Sequence, residues 1–145
     1  MDIVNRLSAI EEIIRLKARY FRCLDTKDWS GLEALFSPDA VFDMRSGRGT
    51  SLDPEAIIHG AVAIRQFVSD AVAALVTVHH GHTPEIDVLD ADHARAVWPM
   101  HDVLVVPDGV QAPFRRFEGY GHYHETYERR DGHWLVGADR KLSHF

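Results

Sequence analysis

The sequence is poor in cysteine, in long apolar runs and in clustered positive charge. Its 145 residues hold one cysteine, Cys23. A lone thiol excludes an internal disulfide framework. Its place in a helical pattern fits a packed thiol and a reducing cytoplasm. No stretch approaches the roughly 20 apolar residues that span a bilayer. The opening "MDIVNRLSAIEEIIRLKARY" mixes apolar and charged residues and lacks the apolar core of a signal peptide. A cytoplasmic protein without a membrane partner is expected. The formal net charge is -6, and no basic stripe is present, which argues against nucleic acid. A small hydrophobic molecule remains as the expected partner.

What is present is an ordinary globular balance, with 46% hydrophobic residues. The length fits one domain, 1–145. A chain of this size hides about two-thirds of its unfolded surface without covalent staples. Residues 3–24 place Ile3, Leu7, Ile10, Ile14, Phe21 and Leu24 at helical spacings, predicting an amphipathic helix with one buried stripe. Asp28 caps a short second helix over Trp29, Leu32, Leu35 and Phe36, which Pro38 stops. Residues 40–44 read as a short strand, 45–55 as a Gly- and Ser-rich mobile loop, and 60–75 as a third helix. The rhythm then changes to period two. Strands are expected at 76–89, 94–106, 114–129 and 133–143, separated by turn signals that include Asp-Gly. Helices first and strands afterwards indicate an α+β fold. The expected form is a strongly curved four-stranded antiparallel meander wrapped around the long first helix.

"TVHHGHTPE" puts His79, His80 and His82 within four positions. Side chains alternate faces along a strand, so His80 and His82 share one face and His79 takes the other. His-x-His pairs at His80/His82 and His122/His124, with Glu85, raise the possibility of a metal site. Such a site needs three or four ligands on one cavity face, and the spacing falls short of a cupin's. These four histidines are therefore expected on the outer sheet face, with no metal and no cofactor. His79 turns inward among apolar neighbours.

Other polar residues share that inward side. Trp98, Met100, Asp102 and Leu104 have one parity in their strand. An aspartate there needs a partner. Gly119, Gly121, Tyr123 and Tyr127 share a parity in the next strand, where glycines leave room for a ligand. The first helix contributes Tyr20 and Asp25, and the last strand contributes Arg140. Taken singly, each has a structural role: a core histidine, a helix end, a surface ion pair. Together they fit acid–base chemistry around an apolar cavity.

The stretches "LKARYFRCLDTKDWSGLEALFSPDAVFD", "TVHHGHTPEI", "ARAVWPMHD" and "HYHETYERRDGHWLV" resemble, in order and along nearly the whole chain, the SnoaL-like branch of the nuclear transport factor 2-like superfamily. The resemblance is to its elimination enzymes: scytalone dehydratases, bile-acid dehydratases and hexachlorocyclohexane dehydrochlorinases. It implies a cone-shaped fold with a deep hydrophobic pocket and a cofactor-independent lyase of the dehydratase type. Asp25 and His79 fall on the dehydrochlorinase dyad, Tyr20 on a dehydratase tyrosine and Asp102 on a second aspartate of the bile-acid enzymes. The family's arginine follows the strand tryptophan, here Trp134. This chain is one residue longer there, so Arg140 or Asp139 takes the inward slot. Phe42, Trp98, Met100 and Tyr123 are expected to line the pocket. A homodimer or homotrimer packed through the outer sheet face is expected. An isomerase, a polyketide cyclase and a non-catalytic small-molecule binder remain open on the same scaffold.

Overall fold

The computed structural model describes residues 1–44 and 57–144, with side chains to residue 137. The segment read as a mobile loop, 45–55, lies outside the described residues. Three helices are described: α1 (Ile3–Asp25), α2 (Trp29–Glu33) and α3 (Ala61–Val72). The strands are β1 (Val41–Asp43), β2 (Ile57–His59), β3 (Val76–Gly81), β4 (Glu85–Val88), β5 (His93–Val105), β6 (Arg116–Arg130) and β7 (His133–His144). The expected α+β architecture is found, with a curled sheet against the N-terminal helices.

The sheet is larger than the expected meander. Among the described residues it has seven strands in the order β2-β1-β7-β6-β5-β3, with β4 also paired to β5. The two short strands extend it beyond β7, and β1 joins β7 in parallel, Phe42 opposite Arg140. β1 falls within the strand expected at 40–44, whereas the three residues of β2 carry too little periodicity to be read from sequence. The predicted strand 76–89 is two strands. Pro84 sits in the gap and has no N–H to give the ladder. His82 N–H still donates to Pro99 O at 2.9 Å, so the chain stays against β5 across the break. The Asp-Gly hairpin is as predicted: Asp131 and Gly132 both have positive φ, 52° and 78°, as a type I′ turn requires.

The phase of α1 differs from the expectation. Ala9, Ile13, Leu16, Tyr20 and Leu24 are buried, whereas Ile3, Leu7 and Ile14 are exposed. Both sets have helical spacing, so periodicity alone could not choose between them. The buried set places Tyr20 and Asp25 at the end of the helix nearest β3, against which α1 packs. Lys17 lies within this buried face at 2% exposure. Asp2 caps the helix by accepting from Asn5 N–H at 2.8 Å, and Asp28 caps α2 by accepting from Gly31 N–H at 3.0 Å. α3 starts at Gly60, whose φ of 92° suits glycine. Ile64, Val68 and Val72 then face the core. Among the described residues no helix is long and apolar enough to cross a membrane.

Candidate active site

Asp25 is the last residue of α1, and its carboxylate reaches across to β3. It accepts from Thr77 Oγ1 at 2.9 Å and from the His79 backbone N–H at 3.0 Å. His79 Nδ1 lies 2.6 Å from Asp25 Oδ1. Burial pushes the Asp25 carboxyl up, but the bonds from the His79 ring, the His79 backbone and Thr77 together hold it below the ordinary carboxylate range. An ionised carboxylate can only accept, so Nδ1 carries the proton. In neutral imidazole that leaves the Nε2 lone pair on the other side of the ring.

Nε2 is turned toward Asp102. The β3–β5 register sets His79 opposite Asp102, and the β5–β6 register sets Asp102 opposite Gly119. Nε2 and Asp102 Oδ2 are 4.0 Å apart, beyond a direct hydrogen bond. His79 thus lies between two carboxylates, bonded to one and facing the other. Gly81, two residues on, allows a close approach from α1: a Cβ there would fall 2.7 Å from Phe21 Cε2.

A cavity of about 140 Å³ opens beside the dyad. His79, Asp102, Tyr20, Tyr123 and Phe42 line it, as expected. Leu24, Met44 and the α3 residues Phe67, Val68, Ala71 and Val72 complete the lining. α3 was expected as a helix, but nothing in the sequence said that it would close this cavity. Trp98 and Met100 are not among the lining residues. They are buried in the core, and the Trp98 indole N–H donates to Tyr127 Oη at 2.9 Å. The right parity put them inside, but farther along β5 than the cavity reaches. Arg140 pairs through its backbone with Phe42 and Glu125. Its side chain and that of Asp139 lie outside the described residues.

Sequence reasoning missed Thr77, which shares the inward parity of His79 and was visible in the same motif. It also missed Lys17 and Glu125, which form a buried ion pair. Glu125 has the parity of Tyr123 and Tyr127, which was the available signal. His80 and His82 are exposed, and none of His80, His82, His122 and His124 lines the cavity. His80 stacks on His101, and His101 on Tyr120, with centroids 5.6 and 4.5 Å apart. Among the described residues no group of three or more His, Cys, Asp or Glu side chains is arranged to hold a metal ion. A larger hollow of about 420 Å³ lies away from the dyad, beside the Arg95–Asp87 ion pair and His124. Neither Asp25 nor His79 lines it, whereas His79 lines the smaller cavity, which is therefore the candidate active site.

Comparison with known proteins bears on the fold and the family. A probable cyclase of Gibberella zeae is 23% identical over 134 residues, covering 88% of this chain and 86% of that protein. A scytalone dehydratase-like structure from Novosphingobium aromaticivorans superposes with a TM-score of 0.83 at 20% identity, covering 99% of this chain and 89% of the other. A hexachlorocyclohexane dehydrochlorinase structure from Novosphingobium barchaimii gives 0.77 at 18% identity, covering 99% and 90%. These structures share the fold. The SnoaL-like domain profile matches residues 5–138. The chain therefore belongs to the SnoaL-like domain family, within the nuclear transport factor 2-like superfamily.

Proposed function

We propose that this protein is a cofactor-independent lyase of the dehydratase type that acts on a small hydrophobic ring compound. The observation that carries this reading is the 2.6 Å contact between Asp25 and His79 Nδ1, which leaves Nε2 as a base facing an apolar cavity. His79 Nε2 takes a proton from a carbon next to an electron-withdrawing group. The electron pair of that C–H bond forms the new C=C bond. The C–O bond on the neighbouring carbon breaks, and its oxygen leaves as water with a proton supplied through Tyr20. Asp25 steadies the imidazolium that forms, as a carboxylate on the far nitrogen does in hydrolytic triads. Asp102 positions the substrate or a water across the 4.0 Å gap to Nε2.

An apolar hollow of about 150 Å³ is enough to take benzene, so the roughly 140 Å³ beside the dyad has room for a single ring. Candidate hydroxylated rings incubated with the protein should lose one water, read by mass. A product of unchanged mass would instead place the protein with the isomerases. The likeness to a probable cyclase favours ring closure as the second reading. There the same base would remove a proton from a carbon or hydroxyl, the freed electron pair would form the new carbon–carbon or carbon–oxygen bond to a carbonyl carbon of the same molecule, and the carbonyl π pair would pass to its oxygen, which takes up a proton. Binding without any change of mass, and without effect of His79→Ala on the ligand's chemistry, would mark a binder.

A further inference from the structure

Proton transfer through the dyad leaves one buried charged cluster unused. Lys17 lies one turn before Tyr20 on α1, and Glu125 is on β6, each almost fully buried. The Lys17 ammonium pairs with Glu125 Oε1. The other Glu125 oxygen accepts from the Tyr127 hydroxyl at 2.5 Å, whose oxygen in turn accepts from Trp98. The same ammonium lies over three rings, 3.8 Å from the centroid of Tyr123, 4.5 Å from Tyr20 and 5.0 Å from Phe21. Tyr20 and Tyr123 both line the cavity that holds His79 and Asp102. Stability gives no reason for this pair, since buried ion pairs are often replaced by neutral side chains of similar volume without loss. Its position gives one. A desolvated cation over a ring face is attracted to that face and holds the ring. It also draws electron density toward itself, which strengthens the phenol as a hydrogen-bond donor.

We propose that Lys17 is a positioning residue for the candidate site: held by Glu125 beneath the cavity, its ammonium fixes the ring planes of Tyr20 and Tyr123 and polarises their hydroxyls as donors. This inference rests on the elimination reading for its use in turnover, where a strong donor is needed at the departing oxygen. The electrostatic part stands without it. Among the described residues, the titratable groups on the elements around the two tyrosines are Lys17 and Asp25 on α1, Asp43 on β1, His79 on β3, Asp102 on β5, and Glu125 and Tyr127 on β6.

The test is the double variant Lys17→Met/Glu125→Gln, which removes both charges and keeps an acceptor for Tyr127. Ring-carbon NMR follows the ionisation of the four tyrosines, assigned by single Tyr→Phe changes. Tyr20 and Tyr123 should ionise at higher pH in the double variant than in Glu125→Gln alone, a comparison that isolates loss of the ammonium, Tyr123 by more because its ring lies nearer. Tyr120, exposed beyond the sheet, should stay in place. With a turnover substrate, kcat should fall about tenfold, less than the roughly 10²–10⁴-fold that a general acid or base itself supplies, while KM changes little. Unmoved Tyr20 and Tyr123 midpoints, or an unchanged kcat, would overturn the inference. Should the variant fail to fold, Lys17→Gln/Glu125→Gln removes the same charges and is read the same way. Full activity in His79→Ala would remove the elimination reading instead, and the tyrosine titration would still decide whether Lys17 acts on the rings.

Discussion

The Asp25 carboxylate accepts three hydrogen bonds from two residues of β3, and each has a separate consequence. The backbone bond ties the end of α1 to the strand. The Thr77 bond fixes the carboxylate, and the ring bond fixes the tautomer of His79. Asp25→Asn keeps the shape but removes the charge, so turnover should fall almost as far as in His79→Ala. His80→Ala and His82→Ala should leave rates near wild type, because neither side chain reaches the cavity. Measuring kcat/KM for the four variants checks this. The carboxyl also makes stability depend on pH. Its folded pKa is held below the unfolded value of about 3.9. Its contribution is therefore complete above that value and is lost as pH falls through the folded one. The stability gap between wild type and Asp25→Asn should narrow below about pH 4, as read by urea unfolding. A gap constant to pH 2 would contradict the assignment. Asp25 and His79 were legible from parity and family likeness together. Lys17 and Glu125 were not, because lysine and glutamate are almost never buried unless paired, and the pairing joins residues 108 positions apart.

Between elements, the contact of α1 with β3 and β6 decides where the site lies. Phe21 packs on Gly81, leaving no room for a Cβ. Gly81→Ala should cost about 1–3 kcal/mol through overpacking, or the Phe21 ring must move. Equal denaturation midpoints for variant and wild type, with Phe21 unmoved, would count against this packing. The Lys17–Glu125 pair makes a sharper prediction. Lys17→Met alone takes the ammonium from a buried carboxylate and should lose about 3–5 kcal/mol. Adding Glu125→Gln should restore most of it, so the double variant should be the more stable of the two. The long strands and their order along the chain were legible from period two. The phase of α1 was not, since Ile3, Leu7 and Ile14 have the spacing of a buried stripe yet are exposed. That choice is made by the sheet the helix meets, which one element's periodicity does not contain. β2 and the parallel β1–β7 pairing were missed for the same reason.

For the whole molecule, the curled sheet has two working sides. Its inner face, with the helices, forms the small cavity. Its outer face carries exposed Val76 and Val78 and the stacked row of His80, His101 and Tyr120. This mixture of apolar and aromatic groups suits contact with a second copy. A dimer or trimer is expected by light scattering at micromolar concentration, and Val78→Glu should weaken it. A monomer throughout would reject that expectation. The α+β class and the inward dyad could be read from the sequence because alternation and turn residues are local signals. The cavity's full lining could not, because α3 closes it from a distant part of the chain. In the proposed reaction His79, supported by Asp25, is the base of an elimination. The most direct measurement compares wild type and His79→Ala on a hydroxylated ring compound that wild type dehydrates. Loss of a general base should slow water loss by about 10²–10⁴-fold, with the circular dichroism spectrum of the folded protein unchanged. Wild-type rates in a folded His79→Ala protein would contradict the account.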